Sequence, residues 1–155
     1  MSFLRGLILW WALLGGGLLA VLVLVNVWTV LGGLIGLPFT GDFDLTQMLV
    51  AAAVFMFLPY CQLYRHNVTA DIFTMRLSAR GRRRLDMLAS VVALAVAALL
   101  LWRMWLGLLD QKAYQLASTI LQLPIWWAYV PIVISLGLLV LAAVITLVED
   151  IRGRS

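Results

Sequence analysis

The segment RHNVTADIFTMRLSARGRRR, residues Arg65–Arg84, lies near the middle of the chain and decides how the fold is arranged. It contains six of the eleven lysine and arginine residues, and the stretches on either side are strongly apolar. Membrane proteins keep short loops rich in basic residues on the cytoplasmic side of the bilayer. The segment therefore predicts a basic cytoplasmic loop between two membrane-embedded halves, with room for a short interfacial helix.

The composition points to the lipid bilayer as the solvent of this protein. Of its 155 residues, 65% are hydrophobic and only 12% are charged, whereas a soluble domain carries about 25% charged residues. A net charge of +4 would suggest nucleic acid as the partner of a soluble protein, but in a membrane protein it reports topology. We expect one membrane domain over residues 1–155, surrounded by lipids and without a nucleic-acid partner.

Four apolar segments have about the 20 residues that a transmembrane helix needs. They span approximately residues 7–31, 45–64, 85–108 and 124–148. The first is too long for the apolar core of a signal peptide, which has about 7–15 residues, so we expect it to be a retained span. Pro124 suits the first turn of the last helix, where a missing N–H is tolerated. The sequence thus predicts an all-α integral membrane protein built from two helix hairpins.

The distribution of basic residues orients these spans. Nine of the eleven fall at one set of helix ends, and only Arg103 and Lys112 fall toward the other. By the positive-inside rule, both termini and the central loop are expected in the cytoplasm. The residues predicted to set the orientation or to contact lipid headgroups are Arg5, Arg65, Arg76, Arg80, Arg82, Arg83, Arg84, Arg103, Arg152 and Arg154.

Tryptophans also fall near the predicted span ends. An indole ring favours headgroup depth because one part is apolar and the N–H donates a hydrogen bond. The predicted interfacial anchors are Trp10, Trp11, Trp28, Trp102, Trp105, Trp126 and Trp127.

Few residues suggest chemistry inside the membrane. A single cysteine, Cys61, excludes an internal disulfide, and a single histidine leaves no bis-histidine haem. Arg103 lies within the third span, where we favour snorkelling to phosphates over a buried role. Asn26 is expected to bond a neighbouring helix. Gly15–Gly17 would allow a helix to approach closely, or they reflect the general frequency of glycine in membrane helices. We expect no catalytic residue, no metal site and no cofactor, a bound phospholipid being the one small molecule allowed.

Three stretches carry a resemblance to a known family: GDFDL at residues 41–45, LPYCQLYRHNVTAD at residues 58–71 and LPIWWAYVP at residues 123–131. In order and spacing they are similar to the small membrane subunit of tripartite ATP-independent periplasmic (TRAP) transporters, the DctQ-like family. The first stretch departs from the family in having Asp44 where glutamate is commoner.

The resemblance implies a function and partners. It implies a non-catalytic subunit of the bacterial inner membrane that scaffolds a large multi-span permease. It also implies a periplasmic binding protein that delivers organic acids for uptake driven by an ion gradient. On this model, the residues that would contact the binding protein are Asp42, Asp44, Asp110 and Lys112. The alternative for each of them is an ordinary solvated loop charge.

Other functions remain open from the residues alone. A generic anchoring or assembly subunit of another complex has no distinguishing motif. A stand-alone four-helix carrier needs a titratable carboxylate at mid-membrane, whereas Glu149 and Asp150 fall at the cytoplasmic exit. A membrane oxidoreductase in its usual forms is excluded by the cysteine and histidine counts.

Overall fold

The computed structural model describes residues 2–37, 39–64 and 79–151. The helices of this part are α1 (Ser2–Leu34), α2 (Asp42–Leu63), α3 (Ala79–Ala113) and α4 (Trp126–Ile151). Each of these four contains a segment long and apolar enough to cross a membrane, so the predicted all-α fold with four spans is confirmed. Most of the basic segment, residues 65–78, lies outside the described residues, so the loop and its cytoplasmic location stay predictions.

The helices are longer than the predicted spans. With 33 and 35 residues, α1 and α3 are each about 50 Å long at 1.5 Å per residue. The hydrocarbon layer is only about 30 Å thick, so such helices tilt or extend beyond it. The sequence places Arg80–Arg84 in the loop before the third span. Because α3 begins at Ala79, the backbone of these residues is helical instead.

Contacts between helix ends fix the direction of each helix. Ile8 at the start of α1 packs with Leu63 at the end of α2 and with Ile145 near the end of α4. At the opposite end, Lys112 of α3 lies over the ring of Trp126 at the start of α4. The helices therefore alternate in direction. Two of the connections between helices, residues 35–41 and 114–125, lie at the same end of the molecule, which we call the loop end. We call the opposite end the terminal end.

The helices form a layer in the order α1–α2–α4–α3, in which side chains of α1 also reach α4. The main packing contacts join α1 to α2, α2 to α4 and α4 to α3. Helix α4 is consequently in the interior and is the most buried span, whereas the flanking α3 is the least buried. Large apolar side chains remain exposed along both flanks, including Leu24 and Val30 of α1 and Val92 and Leu99 of α3.

Small residues let the inner helices approach closely. Ala53 of α2 and Ala142 and Ala143 of α4 are fully buried. A Cβ atom placed on Gly15 of α1 would lie 2.9 Å from the Cβ of Met56 in α2. The expectation of a close approach is thus confirmed for Gly15, in line with the use of small residues at helix interfaces in lipid.

Two helix ends at the loop end have recognisable causes. Helix α1 closes with Gly36 at φ 77°, while the amides of Gly36 and Leu37 bond back to Gly33 and Gly32, which is a Schellman motif. Helix α4 begins at Trp126. Pro124 precedes it and pairs with Ala117 in an isolated β-bridge, so its predicted place in the first helical turn is wrong.

Candidate functional site

The connection between α3 and α4 folds into a short hairpin, residues 116–125, which we call the loop hairpin. Its two arms are joined by bonds from Ser118 N to Leu123 O (2.9 Å) and from Ile125 N to Leu116 O (3.0 Å). Gln122 at the tip has a φ of 54°, a left-handed conformation that residues other than glycine adopt mainly in turns. The predicted spans imply a connection at this place, but the sequence does not predict an ordered hairpin.

The tip of the loop hairpin is held by Asp44, in the first turn of α2. One oxygen of its carboxylate accepts hydrogen bonds from the backbone N–H groups of Ile120 (2.8 Å) and Leu121 (2.9 Å). Asp44 is only 5% exposed. A buried carboxylate needs such partners, and hydrogen bonds to an ionised acceptor are stronger than neutral ones.

An apolar contact lies beside this carboxylate. Gly41, the residue before α2, is buried, and a Cβ atom added to it would overlap the side chain of Leu121. Glycine therefore leaves the space that Leu121 occupies at the hairpin tip. The polar and apolar contacts together join the α3–α4 connection to the start of α2, which belongs to the other helix pair.

The other charged residues predicted to contact a binding protein have different surroundings. Asp42 is partly exposed and its carboxylate accepts the N–H of Phe43, its neighbour in the chain (2.8 Å). Asp110 and Lys112 are exposed, and Lys112 Nζ lies 5.8 Å from the centre of the Trp126 ring. The structure thus brings Asp42 and Asp44 onto one helical turn. For all four residues, contact with a binding protein stays a prediction.

Polar side chains also join the helices within the spans. Asn26 of α1 donates to Thr46 of α2 (3.3 Å), which confirms the bond expected for Asn26. Two such bonds were not anticipated: Trp11 Nε1 to Ser135 Oγ (2.9 Å), and Gln62 Nε2 to Thr146 Oγ1 (3.4 Å). Serine and threonine at apolar helix positions were the available signal, but a sequence does not tell which helix faces them.

The tryptophans divide into two groups. Most of the predicted anchors have half or more of the side chain exposed, namely Trp10, Trp28, Trp102, Trp105 and Trp127. Trp11, in contrast, uses its indole N–H between helices, and Trp126 lies under Lys112. For all seven tryptophans, the role of interfacial anchor stays a prediction.

Of the predicted orientation residues, Arg5 and Arg103 are exposed. The structure does not describe the side chains of Arg80, Arg82, Arg83 and Arg84. It also does not describe Arg65, Arg76, Arg152, Arg154 and His66. Among described residues, no three His, Cys, Asp or Glu side chains group as metal ligands. Cys61 is a partly buried free thiol.

These features define the class of protein to which the chain belongs. The chain is a multi-pass helical membrane protein whose polar side chains bond helices together and hold one loop. The family model described as tripartite ATP-independent periplasmic transporters, DctQ component, matches residues 19–153. The chain belongs to this family, and it is therefore a small permease subunit of a TRAP transporter. Searches of curated proteins and of solved structures found no match.

Proposed function

We propose that this subunit is a non-catalytic scaffold for a large multi-span permease, in a transporter that takes up organic acids with the energy of an ion gradient. Family membership implies that partner, together with a periplasmic substrate-binding protein. The substrate class, the driving force and the scaffold role go beyond the family assignment. They are the function that best suits the structure.

The observation that carries the proposal is how the polar groups within the spans are used. Asn26, Trp11 and Gln62 each bond a side chain of a different helix. In lipid such bonds contribute about 0.6 kcal/mol each on average, so they fix helix packing rather than provide chemistry. A transport pathway instead needs polar or ionisable groups that line a cavity or face the substrate. This arrangement of the polar groups supports the proposed scaffold role.

The exposed flanks supply surfaces for a large partner. Helices α1 and α3 lie at the two edges of the layer and expose apolar side chains along their length. Apolar helix faces suit either lipid or another helix, since neither requires a polar partner. Packing one flank against the large subunit would leave the other flank to lipid.

The proposed orientation places the terminal end in the cytoplasm and the loop end in the periplasm of the inner membrane. The basic residues of the central segment, with Arg5, Arg152 and Arg154, favour this orientation. Exposed tryptophans such as Trp28, Trp102 and Trp127 would hold the depth. The loop hairpin, Asp42, Asp110 and Lys112 would then face the binding protein.

Purification and reconstitution test the proposal. A tagged chain is expressed with the large subunit encoded by the same organism, solubilised mildly and isolated, and we expect both chains in one complex. In liposomes supplied with the binding protein, organic-acid uptake should require both chains and an ion gradient. Uptake by this chain alone, or undiminished uptake by the large subunit without it, would refute the scaffold role. Isolation with a different complex would favour a generic assembly subunit.

A further inference from the structure

One side chain connects the two helix pairs at the loop end. Asp44 belongs to α2, whereas the amides that it binds, those of Ile120 and Leu121, belong to the connection between α3 and α4. The chain separation is 76 and 77 residues. The contact therefore forms only when both helix pairs are assembled and the hairpin lies over the start of α2.

We infer that Asp44 is a latch: its charge holds the loop hairpin closed over α2, and the hairpin opens as a unit while the four helices stay packed. The inference rests on the contacts of this chain and is independent of the proposed transport role. It assigns Asp44 a positioning role within the subunit, in place of direct contact with another protein.

The charge is the relevant property because both backbone partners are donors. An ionised carboxylate only accepts hydrogen bonds and so matches the N–H groups of Ile120 and Leu121. An asparagine has the same shape, but one of its two terminal groups is an NH₂ donor, and its carbonyl oxygen carries no net charge. The bonds from Ile120 and Leu121 are therefore expected to weaken in Asp44→Asn, even though an oxygen remains in place.

The hairpin can open separately because the helices are joined elsewhere. Helix α4 begins only after the hairpin, and the amide of Trp127 bonds to the carbonyl of Pro124 at that boundary (3.1 Å). The bonds of Trp11 with Ser135 and of Gln62 with Thr146 join α4 to its neighbours without the hairpin. Loss of the latch should consequently leave these contacts intact.

Hydrogen exchange of the full-length chain in lipid nanodiscs tests the latch. We expect the amides of residues 118–123 to exchange about tenfold faster in Asp44→Asn than in the wild type, the scale of one lost charged hydrogen bond. Amides of residues 132–145 in α4 should be unchanged. Asp42→Asn is the matched control, since Asp42 lies in the same helical turn but bonds the neighbouring residue Phe43. Asp44→Glu, which keeps the charge, should stay closer to the wild type than Asp44→Asn.

Two results would overturn the inference. Equal exchange of residues 118–123 in Asp44→Asn and Asp42→Asn would show that the carboxylate does not hold the hairpin. Faster exchange across α4 as well would show that the hairpin does not open separately. If Asp44→Asn cannot be isolated, Gly41→Ala crowds the Leu121 side chain at the hairpin tip and is expected to accelerate the same amides while those of α4 are unchanged. Acceleration across α4 in that variant would also count against separate opening of the hairpin.

Discussion

The close approach of α1 and α2 at Gly15 gives a prediction in which position alone is varied. Gly15, Gly16 and Gly17 are consecutive in one helix. A Cβ at Gly15 would lie 2.9 Å from Met56 Cβ and 3.5 Å from the Ala53 carbonyl oxygen, whereas a Cβ at Gly16 or Gly17 meets nothing within 4 Å. The same substitution, glycine to alanine, is therefore made against a packed helix and in open space.

The magnitude follows from two opposing terms. Alanine favours a helix over glycine by about 1 kcal/mol, so Gly16→Ala and Gly17→Ala should be neutral or slightly stabilising. At Gly15 the new atom lies about half an ångström inside ordinary contact with Met56 Cβ, an atom next to the backbone that cannot rotate away. Overpacking of this kind costs about 1–3 kcal/mol. The net loss for Gly15→Ala should be about 0–2 kcal/mol relative to the wild type, and about 1–3 kcal/mol relative to Gly16→Ala and Gly17→Ala.

Thermal unfolding in detergent micelles, followed by tryptophan fluorescence, measures the difference. We expect a lower melting temperature for Gly15→Ala than for Gly16→Ala and Gly17→Ala, and a further decrease for Gly15→Leu. Equal melting temperatures for the three alanine variants would refute the reasoning, because the α1–α2 contact would then not depend on the missing side chain.

Three further predictions concern polar residues. Thr146→Val removes an acceptor of Gln62 and should lower the free energy of unfolding by about 0.6–1.7 kcal/mol, measured by thermal unfolding. Thr29→Val loses a bond within its own helix and should lower it less. Equal losses of stability in the two variants would contradict the interhelical role of Thr146. Trp11→Phe and Ser135→Ala should be non-additive by about the same amount in a double-mutant cycle, because they share one bond; additivity would argue against it. Arg103 lies two turns, or about 10 Å, from Asp110 along α3 and should hold the depth of that helix. Arg103→Leu should therefore make a spin label at Leu109→Cys, in a Cys61→Ser background, less accessible to an aqueous quencher, whereas Arg103→Lys should not. Equal accessibility of the label in both variants would exclude an anchoring role.

The number and place of the spans were predictable because length and apolarity alone determine them. The order of the helices in the layer was not. In lipid, residues that face another helix are no more apolar than those that face the bilayer, so the sequence carries no clear pattern that marks the core side. Leu24 of α1 is 68% exposed while Ile8 of the same helix is 1% exposed, although both are aliphatic residues within the predicted first span.

The candidate site shows the same limit in a different form. The sequence draws attention to Asp44 only through the resemblance of residues 41–45 to the family, as a residue that would contact a binding protein. Its partners are backbone amides of Ile120 and Leu121, which every residue except proline has. No side-chain type at positions 120 and 121 signals such a contact. Asn26, in contrast, was predictable because an amide side chain within a span needs a partner.

Two kinds of contact hold this subunit together, and their places follow from the surroundings of each. Within the spans, where water is absent and apolar burial gives no advantage over lipid, close packing at Gly15 and a few polar bonds join the helices. At the loop end, Asp44 is the third residue of its candidate span, so its carboxylate lies at the edge of the apolar segment. A carboxylate at that boundary gains bonds to the hairpin without the cost of crossing the membrane interior. If a partner protein meets the loop end, it therefore meets a surface whose shape depends on Asp44, even where Asp44 itself is not touched.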